Sequence, residues 1–204
     1  MLKRILRKFD EIQRQYADAY CDYDAGVFDL GYFYNERTNV SLLAGAIWRD
    51  NPTDNLVLEE YSSDKEWEDS SGYKGRRDLW FRIGDTQFRC EAKQKWVDLE
   101  SVTKAEVDSI VSLAKAESLK IESQYLHPGS KALGIVFATL RLKRSNQHHG
   151  IELLMNLNRL IEEAKFGELT VHSVIIEKVL TAGGESNLHP GVVVFIWSRD
   201  GQVS

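Results

Sequence analysis

The stretch GRRDLWFRIGDTQFRCEAKQKW, residues 75–96, decides how this chain folds. Gly84-Asp85 lies between two runs rich in strand-forming residues. Glycine accepts the positive φ needed at the first position of a two-residue turn, so the pair predicts a tight β-hairpin. Such a turn sets the register. Ile83 then pairs with Thr86, and counting outward along a regular hairpin brings Asp78 opposite Glu91. Directly paired Cβ atoms lie about 4.5–5.5 Å apart, and two like charges there are unfavourable without a counter-charge. On the second strand, the period of two puts Glu91 and Lys93 on one face. Phe88, Cys90 and Ala92 take the other, which reads as the core face.

Two carboxylates converging on one point, with an ammonium one step away, suit a hard cation such as Mg²⁺, which prefers oxygen ligands. The competing account is a lysine–acid cluster on a solvated sheet face, and the residues by themselves leave the two level. The string acid-x-Lys recurs at Glu163-Ala164-Lys165, but in a helical, surface-like segment with no partner strand.

Around this hairpin the pattern predicts an α/β protein with a mixed sheet. Leu2, Ile5, Leu6, Phe9, Ile12 and Tyr16 recur at helical spacing, with Lys3, Arg4, Arg7 and Lys8 on the other side. This N-terminal helix, within residues 1–20, reads as docking on the core or on a second subunit. A second helix is expected over residues 35–48, a strand over 56–62 and a polar loop over 63–74, where the acids of DKEWED read as a solvated face. After the hairpin come a helix near 101–123, a strand near 132–142 and a helix near 147–166. Two last strands are expected in 169–180 and 191–197. The helix after the hairpin is a crossover long enough to make its flanking strands parallel, while the first three strands form an antiparallel meander. Trp48, Trp80 and Trp197 fall in apolar elements and are expected in the core. His127-Pro128-Gly129 and His189-Pro190-Gly191 read as turns.

The 204 residues fit a single domain with a sizeable core, and 43% hydrophobic content sets the chain apart from disordered sequences. A net charge of −5 argues against bulk attraction to nucleic acid, though a local basic groove fits within it. Cys21 and Cys90 are too few for a disulfide framework, and no Cys/His set has zinc-site spacing. No apolar run reaches the roughly 18 residues of a membrane span. MLKRILRKF lacks the continuous apolar stretch of a signal peptide. The expectation is a reduced, cytoplasmic protein with no membrane attachment.

Asp78 and Glu91-Ala92-Lys93 resemble the motif of the PD-(D/E)XK nuclease superfamily, the restriction endonuclease-like fold. In that family an Asp opens the second core strand and an acid-x-Lys lies on the third. The family core of helix, three-strand meander, helix and strand (αβββαβ) matches residues 35–142, roughly half the chain. Residues 146–204 then form an extension of one helix and two strands. Many members carry a further acid on the first core helix, which Glu36 matches. Glu59 and Glu60 on the first strand compete for that role, and the bland account of Glu36 is a charge favoured by the helix dipole. Asp78 follows Arg77 where the family pattern has proline.

The resemblance implies a nuclease dependent on Mg²⁺, or on Mn²⁺, that hydrolyses phosphodiester bonds of nucleic acid, DNA in the first instance, in restriction, repair or defence. Asp78, Glu91 and Glu36, with the Ala92 carbonyl, would hold the metal. Lys93 would orient the attacking water or stabilise developing charge. Arg76 and Arg77 would face neighbouring phosphates, and Gln94, although on the opposite strand face from Lys93, is a further substrate contact. The alternative is a catalytically silent module of the same fold. The acidic balance favours that module, or a nuclease aided by a protein partner or a second copy. The complete Asp/Glu/Lys set favours turnover.

Overall fold

The computed structural model of the chain describes residues 1–25, 27–66, 72–121, 126–164, 167–181 and 187–200, with only the backbone described for residues 62–66 and 72–75. Its centre is a mixed sheet of seven strands: β1 (Leu56–Glu66), β2 (Gly72–Ile83), β3 (Thr86–Asp98), β4 (Lys131–Lys143), β5 (Leu169–Ile175), β6 (Asn187–Leu188) and β7 (Gly191–Asp200). The spatial order is β1-β2-β3-β4-β7-β5, with β6 paired to the end of β4. The helices are α1 (Leu2–Tyr20), α2 (Gly31–Tyr34), α3 (Glu36–Asp50), α4 (Lys104–Leu119) and α5 (Gly150–Glu163).

The hairpin forms as its turn predicts. Gly84 takes φ +56, and Ile83 pairs with Thr86. β3 and β4 are parallel, joined by the α4 crossover, and all other pairings are antiparallel. β4 is central and buried on both faces, as its unbroken apolar run ALGIVFATL requires. The two faces are told apart by their contacts. Leu133 and Ile135 meet Ile5, Leu6 and Leu43 from α1 and α3. Gly134, between them, faces α4, where an added Cβ would lie 1.7 Å from the Ala114 carbonyl oxygen. The starts of α3 and α4 are capped: Asn35 Oδ1 accepts from Thr38 N–H at 2.9 Å, and Thr103 Oγ1 from Glu106 N–H at 3.2 Å.

Several boundaries differ from the sequence reading. β1 and β2 pair through residues expected in a loop, out to Glu66 and Gly72, while residues 67–71 and the DKEWED side chains from Asp64 onward lie outside the description. The segment after Ile175 turns into a 3-10 helix at Glu177–Thr181 instead of continuing as strand. The helix expected from residue 147 begins as a 3-10 turn at Arg144–His149, and α5 proper starts at Gly150. Trp48 is 44% exposed rather than core, because it falls off the stripe of Val40, Leu43, Ala44 and Ile47 that α3 buries. No helix among the described residues is long and apolar enough to cross a membrane.

Gly134→Ala is expected to destabilise the protein by more than about 1–3 kcal/mol, the usual cost of overpacking, because its Cβ meets backbone that no rotamer change can clear. Urea unfolding of the variant beside the wild-type chain measures this.

Candidate functional site

The β2–β3 ladder runs from Ile83–Thr86 to Leu79–Cys90 and ends there. Beyond that point β2 stays paired with β1, from Tyr61–Arg77 to Glu66–Gly72, and β3 stays paired with β4. The two strands therefore open into a notch whose first residues are Asp78 and Glu91. The backbone pair expected between these two is not formed. Instead Asp78 Oδ2 reaches across and accepts the Ala92 N–H at 2.7 Å.

The side-chain alternation also breaks here. Leu79 pairs with Cys90, which pairs with Leu133 on the α1/α3 face. Strict alternation would send Asp78 to the α4 face and Arg77 to the α3 face. The reverse is found. Asp78 lines a cleft of about 360 Å³ together with Glu36, Val40 and Ser41 of α3. Arg77 turns to the α4 side, where its Nη1 donates to Glu91 Oε1 at 2.7 Å and to the Lys120 carbonyl at 3.0 Å. Glu91 lies on that side because it is in register with Gly134, which faces α4. Glu60, level with Asp78 between the pairs Glu59–Leu79 and Tyr61–Arg77, has φ +45. A non-glycine residue there is strained, and the slip in facing is local to this rung.

The expectation that Asp78 and Glu91 converge on one point is thus corrected. Glu91 is held away from the cleft by Arg77, with side chains 9% and 1% exposed. The structure does bring Asp78, Glu36, Lys93 and Ala92 together. Lys93 Nζ donates to Glu36 Oε2 at 3.3 Å and to the Ala92 carbonyl at 2.8 Å. Both rival acids share the same cleft: Glu59 Oε2 accepts from Ser41 Oγ at 2.5 Å, and Glu60 pairs with Arg37 at 2.8 Å and Arg76 at 3.0 Å. Arg76 stands exposed at the cleft lip, as a phosphate contact requires, while Arg77 is buried. The Gln94 side chain is taken up inside the fold, its Nε2 donating to the Tyr32 carbonyl at 3.3 Å and to Thr139 Oγ1 at 3.0 Å. Sequence reasoning missed Arg37, whose only signal is its place beside Glu36 in the first turn of α3, and Glu117 of α4.

Both partners of the Lys93–Glu36 pair are shifted upward, from different causes. Burial raises the Glu36 carboxyl, and Asp78 adds to the rise against the pull of Lys93. Burial works against the Lys93 charge, yet Glu36, Glu117 and Asp78 together hold its ammonium above the usual value. A simple ion pair would lower the acid and raise the base. Burial is the main cause at Glu36, whereas at Lys93 the surrounding carboxylates together outweigh it.

Mg²⁺ is commonly bound through one or two carboxylates with water completing its shell. Asp78, Glu36 and the Ala92 carbonyl supply donors of that kind, and their surplus negative charge is what a divalent ion neutralises. Among the described residues, no three His, Cys, Asp or Glu side chains cluster as a ready-made metal site. Comparison with known protein families, curated proteins and solved structures finds no match.

Two outcomes follow. Arg77→Met is expected to cost about 3–5 kcal/mol in urea unfolding by removing the guanidinium that neutralises buried Glu91, and Arg77→Met/Glu91→Met to recover most of that loss. For Glu36, the folded carboxyl holds its proton more tightly than the unfolded one. Its contribution to stability is complete below about pH 4.5, the ordinary value, and is lost as pH rises through the raised folded value. Glu36→Gln should flatten that part of the stability–pH curve.

Proposed function

We propose that the chain is a Mg²⁺-dependent hydrolase of nucleic-acid phosphodiester bonds, with the restriction endonuclease-like core suggested by Asp78 and Glu91-Ala92-Lys93. The observation that carries this reading is the surplus of carboxylate around Lys93 in the notch between β2 and β3. The strand order β1-β2-β3-β4, with an α4 crossover making β3 and β4 parallel, agrees with the core expected from the resemblance.

In this reading Asp78 and Glu36, with the Ala92 carbonyl, hold the ion, which supplies Lewis-acid polarisation of a phosphate oxygen when bound. Lys93, kept protonated by its acidic neighbours, stabilises charge developing on the phosphate. Arg76 and Arg37 at the cleft lip neutralise adjoining phosphates once Glu60 gives them up. Glu91 is a positioning residue that fixes Arg77 and, through it, the start of β2.

A second reading, a silent binding module working with a protein partner, draws on the Arg77–Glu91 pair, since an arginine already neutralises one acid of the motif. Incubation with linear, circular and single-stranded DNA and with RNA, in Mg²⁺, Mn²⁺ or EDTA, separates the two. Cleavage is expected with either metal, abolished by EDTA, and reduced at least about 100-fold by Asp78→Ala or Lys93→Ala, the loss typical of removing one electrostatic catalytic group. Cleavage that survives both substitutions overturns the site. No cleavage on any substrate, with no Mg²⁺ heat in calorimetry, selects the silent module.

A further inference from the structure

Beside the cleft lies a group of aromatic rings that the hydrolytic site does not use. Phe33 and Tyr34 of α2 and Trp96 of β3 are 38%, 53% and 42% exposed. Phe33 and Trp96 meet edge-on with centroids 5.6 Å apart, and His189 touches both rings at 4.7 and 5.3 Å. Tyr34 packs against Phe33 at 6.1 Å, and its hydroxyl bonds to Asp29.

This cluster stands on a rigid base. Tyr32, the residue before Phe33, is fully buried. Its hydroxyl donates to the His189 carbonyl at 2.8 Å. Its own carbonyl accepts from Gln94 at 3.3 Å, Thr139 at 3.1 Å and Asn39 at 3.3 Å. These bonds tie α2 to α3, β3 and β4 at once, so the rings are held in place before any ligand arrives and little ordering entropy is lost on binding.

We propose that Phe33, Tyr34 and Trp96 form a stacking platform for nucleobases, and that the chain takes single-stranded nucleic acid. The binding part stands on the rings themselves; its link to cleavage rests on the hydrolase reading above. Two observations favour this occupant. The platform is continuous with the cleft: only Asn35 separates Tyr34 from Glu36, and Trp96 lies three residues beyond Lys93 on the same strand, about 10 Å at ~3.3 Å per residue. A net charge of −5 gives no bulk attraction to a polyanion, so affinity has to come from contacts other than overall charge. Stacking supplies that affinity, and only unpaired bases present their faces to protein rings.

The test is fluorescence anisotropy of the full chain with labelled oligo(dT), oligo(U) and a duplex of equal length, in EDTA so that nothing is cleaved. Both single strands should bind at least about tenfold tighter than the duplex. Trp96→Leu and Phe33→Leu should each weaken single-strand binding about 5- to 150-fold, the worth of one stacked base, while Trp96→Phe, which keeps a ring, retains most of it. Melting curves of the three variants confirm that each is folded, and Trp96→Phe against Trp96→Leu separates stacking from packing. Equal binding of duplex and single strands, or leucine variants that bind like wild type, overturns the platform, the second result pointing to a protein as the occupant. Ring-dependent binding without cleavage in Mg²⁺ overturns the hydrolase reading and leaves the platform standing.

Discussion

A β-strand has two hydrogen-bonding edges, and past their shared hairpin β2 and β3 commit theirs to different neighbours. β2 follows β1 and β3 follows β4, so the ladder between them stops at Leu79–Cys90. Every feature of the candidate site follows from that parting. The Ala92 N–H, which has lost its strand partner, is met by the Asp78 carboxylate. The opened edge leaves room for Lys93 to fold back on the Ala92 carbonyl. Arg77, released from regular alternation, passes to the α4 side. A sheet that stayed paired along its full length would have no place for these groups.

The charges at this parting divide into two compartments. Arg77 and Glu91 are buried together, and the planar guanidinium serves a carboxylate and the Lys120 carbonyl at once, a geometry that a lysine ammonium does not reproduce. Lys93 and Glu36 are partly open to solvent and lie among further acids. The first pair holds the fold at the rung where the ladder fails. In the proposed reading, the second exchanges partners with an incoming ion or phosphate. A buried pair and a partly open, acid-rich one are thus built on Glu91 and Lys93, two residues apart on one strand.

Much of this architecture was legible in the sequence where local chemistry decides it. Gly84-Asp85 announced the turn and its register, the apolar run at residues 132–140 announced a strand buried on both faces, and the length of the α4 segment announced the parallel crossover. The reading failed at Asp78 and Arg77 because a period-two pattern assumes an unbroken ladder, and where a ladder ends is settled by competition with β1 and β4 elsewhere in the chain. It left Glu59 and Glu60 only as rivals of Glu36 because nothing local reveals that α3 crosses above them. α2 went unseen because four residues carry no helical period. β1 was cut short because its far half is polar and reads as loop, although its backbone pairs with β2 out to Glu66.

Gly134 adds a constraint of a different order. With no side chain between them, the backbone of α4 rests directly on β4 at Ala114. The helix end that presents the Lys120 carbonyl is therefore set by main-chain contact rather than by compressible packing. Arg77 spans from that carbonyl to Glu91, so it works as a gauge of the height of α4 above the sheet. A larger residue at position 134 would lift the helix and loosen a guanidinium bound on a different strand. Gly134, Arg77 and Glu91 are thus a coupled set, and homologous chains should change them together or keep them together.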